Sequence, residues 1–218
     1  MKSFVHRLKN RVVKFLRSMV TARYRSKLKN HGFTIIANNC IGGIIYHDLH
    51  ERFCSPTINL DICPKDFVVF CEHLPYYLSL PIKEIPSDTN CPVGVILGEY
   101  GSVRINFRHY KTFEEGLEKW NERKKRMDWD NLFVIMEAQS VDEAIFRRFE
   151  FIPFQNKVLY ASFKGDFVAE MPEAFYTVGY YWGKILDYAQ NAAHRYLERL
   201  DYVHFLNGKG IRLRKIRF

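Results

Sequence analysis

Apolar residues recur at helical spacing along residues 3–20, SFVHRLKNRVVKFLRSMV: Val5, Leu8, Val12, Leu16 and Met19 mark a stripe, with Phe15 and Val20 beside it. Arg7, Arg11, Lys14 and Arg17 flank the stripe. The pattern predicts a two-faced basic helix, and the following TARYRSKLKN reads as a basic connector. From residue 31 the period changes. Residues 33–37, FTIIA, form a short apolar run rich in β-branched side chains, as expected of a strand buried on both faces. The junction Asn38-Asn39-Cys40-Ile41-Gly42-Gly43 interrupts it, and a helix is expected to follow through about His50. Residues 57–62 read as a second strand. Pro64 suits the first turn of a helix that Pro75 cuts or kinks. Residues 92–97 and 103–110 flank GEYGS, a hairpin-length connection.

Two capping boxes come next. Thr112 with Glu115 opens a helix that carries Phe113, Leu117, Trp120 and Met127 on one face, and Ser140 with Glu143 opens another to about Phe149. Residues 132–136 and 158–163 are expected to be strands. A long helix is expected over 181–206, with an Ile/Leu-alternating basic strand closing the chain. Strands separated by single helices imply a layered α/β/α fold with a mostly parallel sheet, one antiparallel hairpin and an N-terminal amphipathic basic helix. Residues 1–30 are read as the helix and its connector, and 31–218 as a single α/β domain.

Composition sharpens this picture. Hydrophobic residues are 47% of the 218, enough for a core without disulfides or a structural metal. The net charge of +9 is carried at the ends. Residues 1–30 hold ten Lys/Arg and no acid, and Lys209, Arg212, Arg214, Lys215 and Arg217 repeat the pattern in the tail. Removing those fifteen charges leaves −6 on residues 31–208. That distribution fits an anionic membrane surface touched by the ends better than a body built on nucleic acid, so no specific nucleic-acid partner is expected. Arg7, Arg11, Lys14, Phe15 and Arg17 are the candidate membrane-binding residues. The alternative is a helix packed on the body or on a partner, with its charges solvated. Five cysteines, no C-x-x-C pair and no secretory or membrane-spanning segment suggest reduced thiols in a cytosol, with the protein peripheral at the inner face of the membrane.

Candidate chemistry gathers at the strand–NNCIGG–helix junction, because ligands in open α/β sheets bind beyond the carboxyl ends of strands. Gly42 and Gly43 would let backbone approach a ligand, Asn38 and Asn39 would add donors, and the next helix would offer free amides to a phosphate. The competing account is a turn whose Asn and Gly residues serve its own geometry. Cys40 at a helix N-terminus could have a depressed pKa and act as a nucleophile, with His109 as its base if the fold brings them together. An inert buried thiol is the alternative. Arg108, His109 and Tyr110 end a strand and could grip an anion. HDLHE at 47–51 meets no standard zinc spacing, and no metal site is expected. KWNERKKR at 119–126 reads as Trp120 in the core beside a solvated basic end.

Four segments, FTIIANNCIGGIIY (33–46), SPTINLDI (55–62), CPVGVILGEYGSVRINFRHY (91–110) and EEGLEKWNERKKRMDWDNLFVI (114–135), resemble a bacterial family, DUF1919, a domain of unknown function often labelled as exopolysaccharide-biosynthesis proteins. The resemblance implies an α/β fold and a link to capsule or exopolysaccharide assembly. The residues of these segments that could contact a ligand are Asn38, Asn39, Cys40, Gly42, Gly43, Tyr46, Ser55, His109, Tyr110, Trp120 and Asn131. The leading expectation is a transferase of a glycosyl, phosphoryl or acyl group, using a nucleotide-activated donor and a lipid-linked glycan. No cofactor is expected beyond a divalent metal that could accompany a nucleotide-sugar. A non-catalytic accessory module and a Cys40-dependent acyltransferase or hydrolase are the alternatives.

Overall fold

The computed structural model describes residues 2–138, 143–161, 174–176, 186 and 194–214, with 2–10 and 174–176 as backbone only. Along the chain run α1 (Lys2–Lys27), β1 (Thr34–Ala37), α2 (Ile41–Leu49), α3 (Pro64–Glu72), α4 (Leu74–Ser79), β2 (Lys83–Ile85), β3 (Val93–Gly98) and β4 (Gly101–Asn106). Then come α5 (Phe113–Lys124), β5 (Leu132–Ala138), α6 (Glu143–Phe151), β6 (Lys157–Ala161), β7 (Ala174–Tyr176), a 3-10 turn (Tyr196–Arg199) and α7 (Tyr202–Leu206).

The apolar runs pair into a four-stranded sheet, β1-β5-β6-β7, parallel throughout. Successive side chains on a strand point to opposite faces, so a strand that is apolar at every position must be covered on both. Ile36, Val134, Met136 and Leu159 face a cluster with Phe67, Phe70, Val103, Ile105 and Phe146, from α3, β4 and α6. Ile35, Phe133, Ile135, Val158 and Tyr160 face Tyr24, Ile41, Ile45, Leu197 and Phe205, from α1, α2, the 3-10 turn and α7. A second sheet, β2-β3-β4, is antiparallel and contains the expected hairpin. The layered, mostly parallel architecture is therefore present. No helix among the described residues is long and apolar enough to cross a membrane.

Several expectations change. The basic connector is helical, because α1 continues to Lys27. Its second stripe, Arg17, Thr21 and Tyr24 with Leu28 just beyond, is buried on the body. Arg17 is only 7% exposed, and its guanidinium pairs with Asp48 of α2 and with Glu198 of the 3-10 turn. It is therefore a buried internal ion and does not face a membrane. Residues 57–62 form turns rather than a strand, with Asn59 left-handed (φ 64°) and Asp61 alone bridging to Asn106. Local hydroxyls take over the backbone there: Thr57 Oγ1 accepts from the Ala37 amide at 3.0 Å, and Ser55 Oγ accepts from the Thr57 amide at 3.3 Å. In place of the end of a long helix, the chain breaks at Leu200 (ψ 130°), and Asp201 caps α7 by accepting from the His204 amide at 3.2 Å. Of the closing strand the described residues hold a Leu200–Leu213 bridge, and residues 215–218, the rest of 181–193 and the Ser140 capping box lie outside the described residues.

The Arg17 cluster ties three elements together. Arg195 also reaches Asp48, at 2.9 Å, and the Tyr24 hydroxyl donates to Glu198 at 2.7 Å. Burial opposes the charged form of Glu198, but His194, Arg17 and Tyr24 together hold its carboxyl below the usual range. Deleting one partner of such a buried network typically costs about 3–5 kcal/mol, because the remaining charge keeps its desolvation penalty. Arg17→Met should lose about 3 kcal/mol in urea unfolding, at the low end because Arg195 and Tyr24 remain. Lys14→Met, on the exposed side, should change stability by less than about 0.5 kcal/mol.

Candidate active site

Beyond Ala37 the β1–β5 ladder ends on the Asn38 amide, which donates to the Ile135 carbonyl at 3.4 Å, and from there the Asn38 side chain takes over. Its Oδ1 accepts from the Glu137 amide at 2.8 Å, and its Nδ2 donates to the Glu137 carbonyl at 3.0 Å. The Asn38 carbonyl accepts from the Ile62 amide at 2.8 Å, which draws in the loop before α3. Asn39 Oδ1 accepts from the Ile41 amide at 3.0 Å, and its Nδ2 donates to the buried Glu137 carboxylate. Both carboxamides are thus committed to the framework.

The glycines serve packing as well. A Cβ on Gly42 would stand 3.4–3.6 Å from Ile35, Ala37 and Ile58, and one on Gly43 would stand 3.4 Å from Asn59 and Ile58. With the first helix amide taken by Asn39 and both glycines buried, the junction is not an open phosphate cradle. Other candidates are structural too. The buried Tyr46 hydroxyl donates to the Phe33 carbonyl at 2.7 Å and accepts from the Ile35 amide at 3.0 Å. Ser55 is buried beside Thr57, and Tyr110 donates to the Ile58 carbonyl while accepting from Arg123 at 2.6 Å. Trp120 lies in the core. Asn131 pairs with Asn30 at the start of β1 and β5, the opposite end of the sheet.

What remains at the carboxyl edge is a cluster with chemistry. Cys40 caps α2, and its Sγ lies 3.2 Å from His109 Nε2. The exposed Arg108 is anchored on Asp61 at 3.1 Å. Asp61 is held in turn by its backbone bridge to Asn106, and by Asn106 Nδ2 at 3.3 Å. The hairpin end that carries Arg108 and His109 is thereby fastened to the loop after α2, which sets the imidazole against the thiol. The thiol is not depressed, as a helix N-terminus alone would make it. Burial pushes it up to about 11, Asp61 adds to the rise, and Arg108 opposes it. The pair is therefore a neutral thiol beside an imidazole. Cys54, Cys71 and Cys91 are buried, and Cys63 is exposed.

Glu137 and Asp61 escaped the sequence reading. Glu137 left a signal, as the charged residue in the apolar run LFVIMEA, and a carboxylate in a buried strand needs dedicated partners. His47 is exposed, and Glu51 pairs with His31 at 2.6 Å, so HDLHE does not converge. Among the described residues no group of three His, Cys, Asp or Glu could hold a metal ion.

The family model described as Domain of unknown function (DUF1919) matches residues 11–207. The chain is a DUF1919 protein. An uncharacterized protein of Haemophilus influenzae is 33% identical to it over 207 residues, covering 92% of this chain and 97% of that protein. The match begins inside α1, so the helix from residue 11 belongs to the DUF1919 unit rather than to an appendage.

Proposed function

We propose that this DUF1919 protein is a thiol-dependent acyl-transfer enzyme in which Cys40 is the nucleophile and His109 its base. The observation that carries the reading is the 3.2 Å approach of Cys40 Sγ to His109 Nε2 at the carboxyl edge of a parallel sheet, where such folds hold their ligands. As Sγ attacks an acyl carbonyl carbon, its proton passes to Nε2. The tetrahedral adduct collapses to a Cys40 thioester, and the leaving alkoxide or thiolate takes the proton from the imidazolium. A hydroxyl or water then attacks the thioester with His109 again as base, which regenerates the thiol. Arg108, exposed and steadied by Asp61, would position an anionic part of the substrate.

Following the family resemblance, the acceptor in this proposal is a hydroxyl of a surface glycan, and the reaction takes place at the inner face of the membrane. The nucleotide-donor reading has less support, because the residues that would cradle its phosphates are packed. The membrane placement is supported by Val12, Phe15, Leu16 and Met19, an exposed stripe on α1 with Phe15 64% accessible, bordered by the exposed Arg11 and Lys14.

Intact-mass analysis after incubation with acyl-coenzyme A or an aryl acetate should show one acyl group on Cys40, and none in Cys40→Ala. His109→Gln should slow its appearance by about 10²–10⁴-fold. Acylation spread over Cys63 and lysines, with Cys40→Ala unchanged, would sink the proposal. Phosphatidylglycerol vesicles should sediment the full chain in a salt-sensitive way, and Phe15→Asp should abolish this. Equal sedimentation of the two proteins would remove the membrane placement and leave the thiol chemistry standing.

A further inference from the structure

α1 turns about 100° per residue, so residues four apart lie nearly in line. Arg23 lies four residues beyond Met19 and continues the line of the exposed apolar stripe, and Lys27 lies four beyond that. At that end of the helix, a cleft of about 320 Å³ opens between α1 and residues 194–214. Its volume is at the lower end of the roughly 300–1,000 Å³ range of ligand sites. Arg23, Tyr24 and Lys27 line it from α1, and His194, Asp201 and Arg214 from the other side.

The charges in the cleft do not balance. Asp201 is the single acid among the described residues that line it, and it is already satisfied by Arg212 and by Arg214 at 2.5 Å. Burial works against the Asp201 carboxylate, but those two guanidiniums overcome it and hold the group at about 2. Arg214 also lies over the Tyr24 ring, 4.4 Å from its centre, which fixes its plane. His194 Nδ1 is engaged by Glu198. Arg23 and Lys27 are exposed and have no ion-pair partner among the described residues. Two uncompensated cations thus stand beside a third that is held in place from behind.

We infer that this cleft is a binding site for a phosphate group, independent of the Cys40 chemistry. Arg23 and Arg214 offer forked donors and Lys27 a compact charge, a set that suits the several oxygens of a phosphate better than the two of a carboxylate. A soluble phosphate compound and a phosphorylated lipid headgroup share that chemistry, and the apolar stripe one turn away on the same line suits the headgroup.

The test is a titration of the full chain with inorganic phosphate at low salt, read by calorimetry. The unmodified chain should bind saturably. Arg23→Ala with Lys27→Ala, both at exposed positions, should bind at least tenfold more weakly. Lys83→Ala with Lys125→Ala, which removes the same charge elsewhere on the surface, should bind like the parent. Unchanged thermal unfolding of both double variants without phosphate shows that each is folded. Phosphatidylcholine vesicles doped with phosphatidic acid then identify the source: displacement of bound phosphate points to a lipid headgroup, and phosphate retained points to a soluble ligand. Absence of saturable binding, or the same loss in both double variants, overturns the site.

Discussion

The parallel sheet is apolar on both faces, and this constraint organises the rest of the molecule. With helices over one face and helices plus a second sheet over the other, polar groups can emerge only at the strand ends. There the backbone of β1 and β5 would be left without partners as the strands part, and an unpaired buried peptide group costs about 1–3 kcal/mol. Asn38 meets that demand with one side chain that accepts from the amide of Glu137 and donates to its carbonyl, while its own carbonyl holds Ile62. The position of Cys40, two residues on, follows from that fastening.

Two carboxylates near that edge have different consequences. Glu137 is fully buried, its backbone held by the Asn38 side chain and its carboxylate accepting from Asn39. Asp61 lies near the thiol, and although it fixes Arg108 it also disfavours a negative sulfur. The site thus opposes a standing thiolate and requires the base at the moment of attack. On the other face of the sheet, Asp48 and Glu198 are matched by Arg17 and Arg195, and there charge is used to clamp α1.

Much of the layered fold was legible because its signals are local. Apolar runs marked β1, β5 and β6, Pro64 opened α3, and Thr112 capped α5 by accepting from the Glu115 amide at 3.2 Å. Cys40 and His109 were legible as reactive types beside strand ends, but their meeting across 69 residues depends on the hairpin and the Asp61–Asn106 bridge, which leave no sequence period. Arg17 was read as a surface charge because its partners lie 31 and 181 residues away. Residues 57–62 had a strand's apolar content, but hydroxyls at Ser55 and Thr57 diverted the backbone. For the thiol the sequence left two readings open, depression by the helix terminus and an inert buried group, and burial with Asp61 decides against depression.

The most direct measurement is the pH dependence of Cys40 acylation by an aryl ester, compared with its alkylation by iodoacetamide, in the parent and in His109→Gln. The account predicts that alkylation of Cys40 climbs with thiolate toward a midpoint near the raised value of about 11. The parent's acylation below that midpoint should exceed what its thiolate alone supports, and His109→Gln should lack this excess. A thiolate already formed at neutral pH, or superimposable acylation profiles in the two proteins, would contradict the pairing of Cys40 with His109 as nucleophile and base.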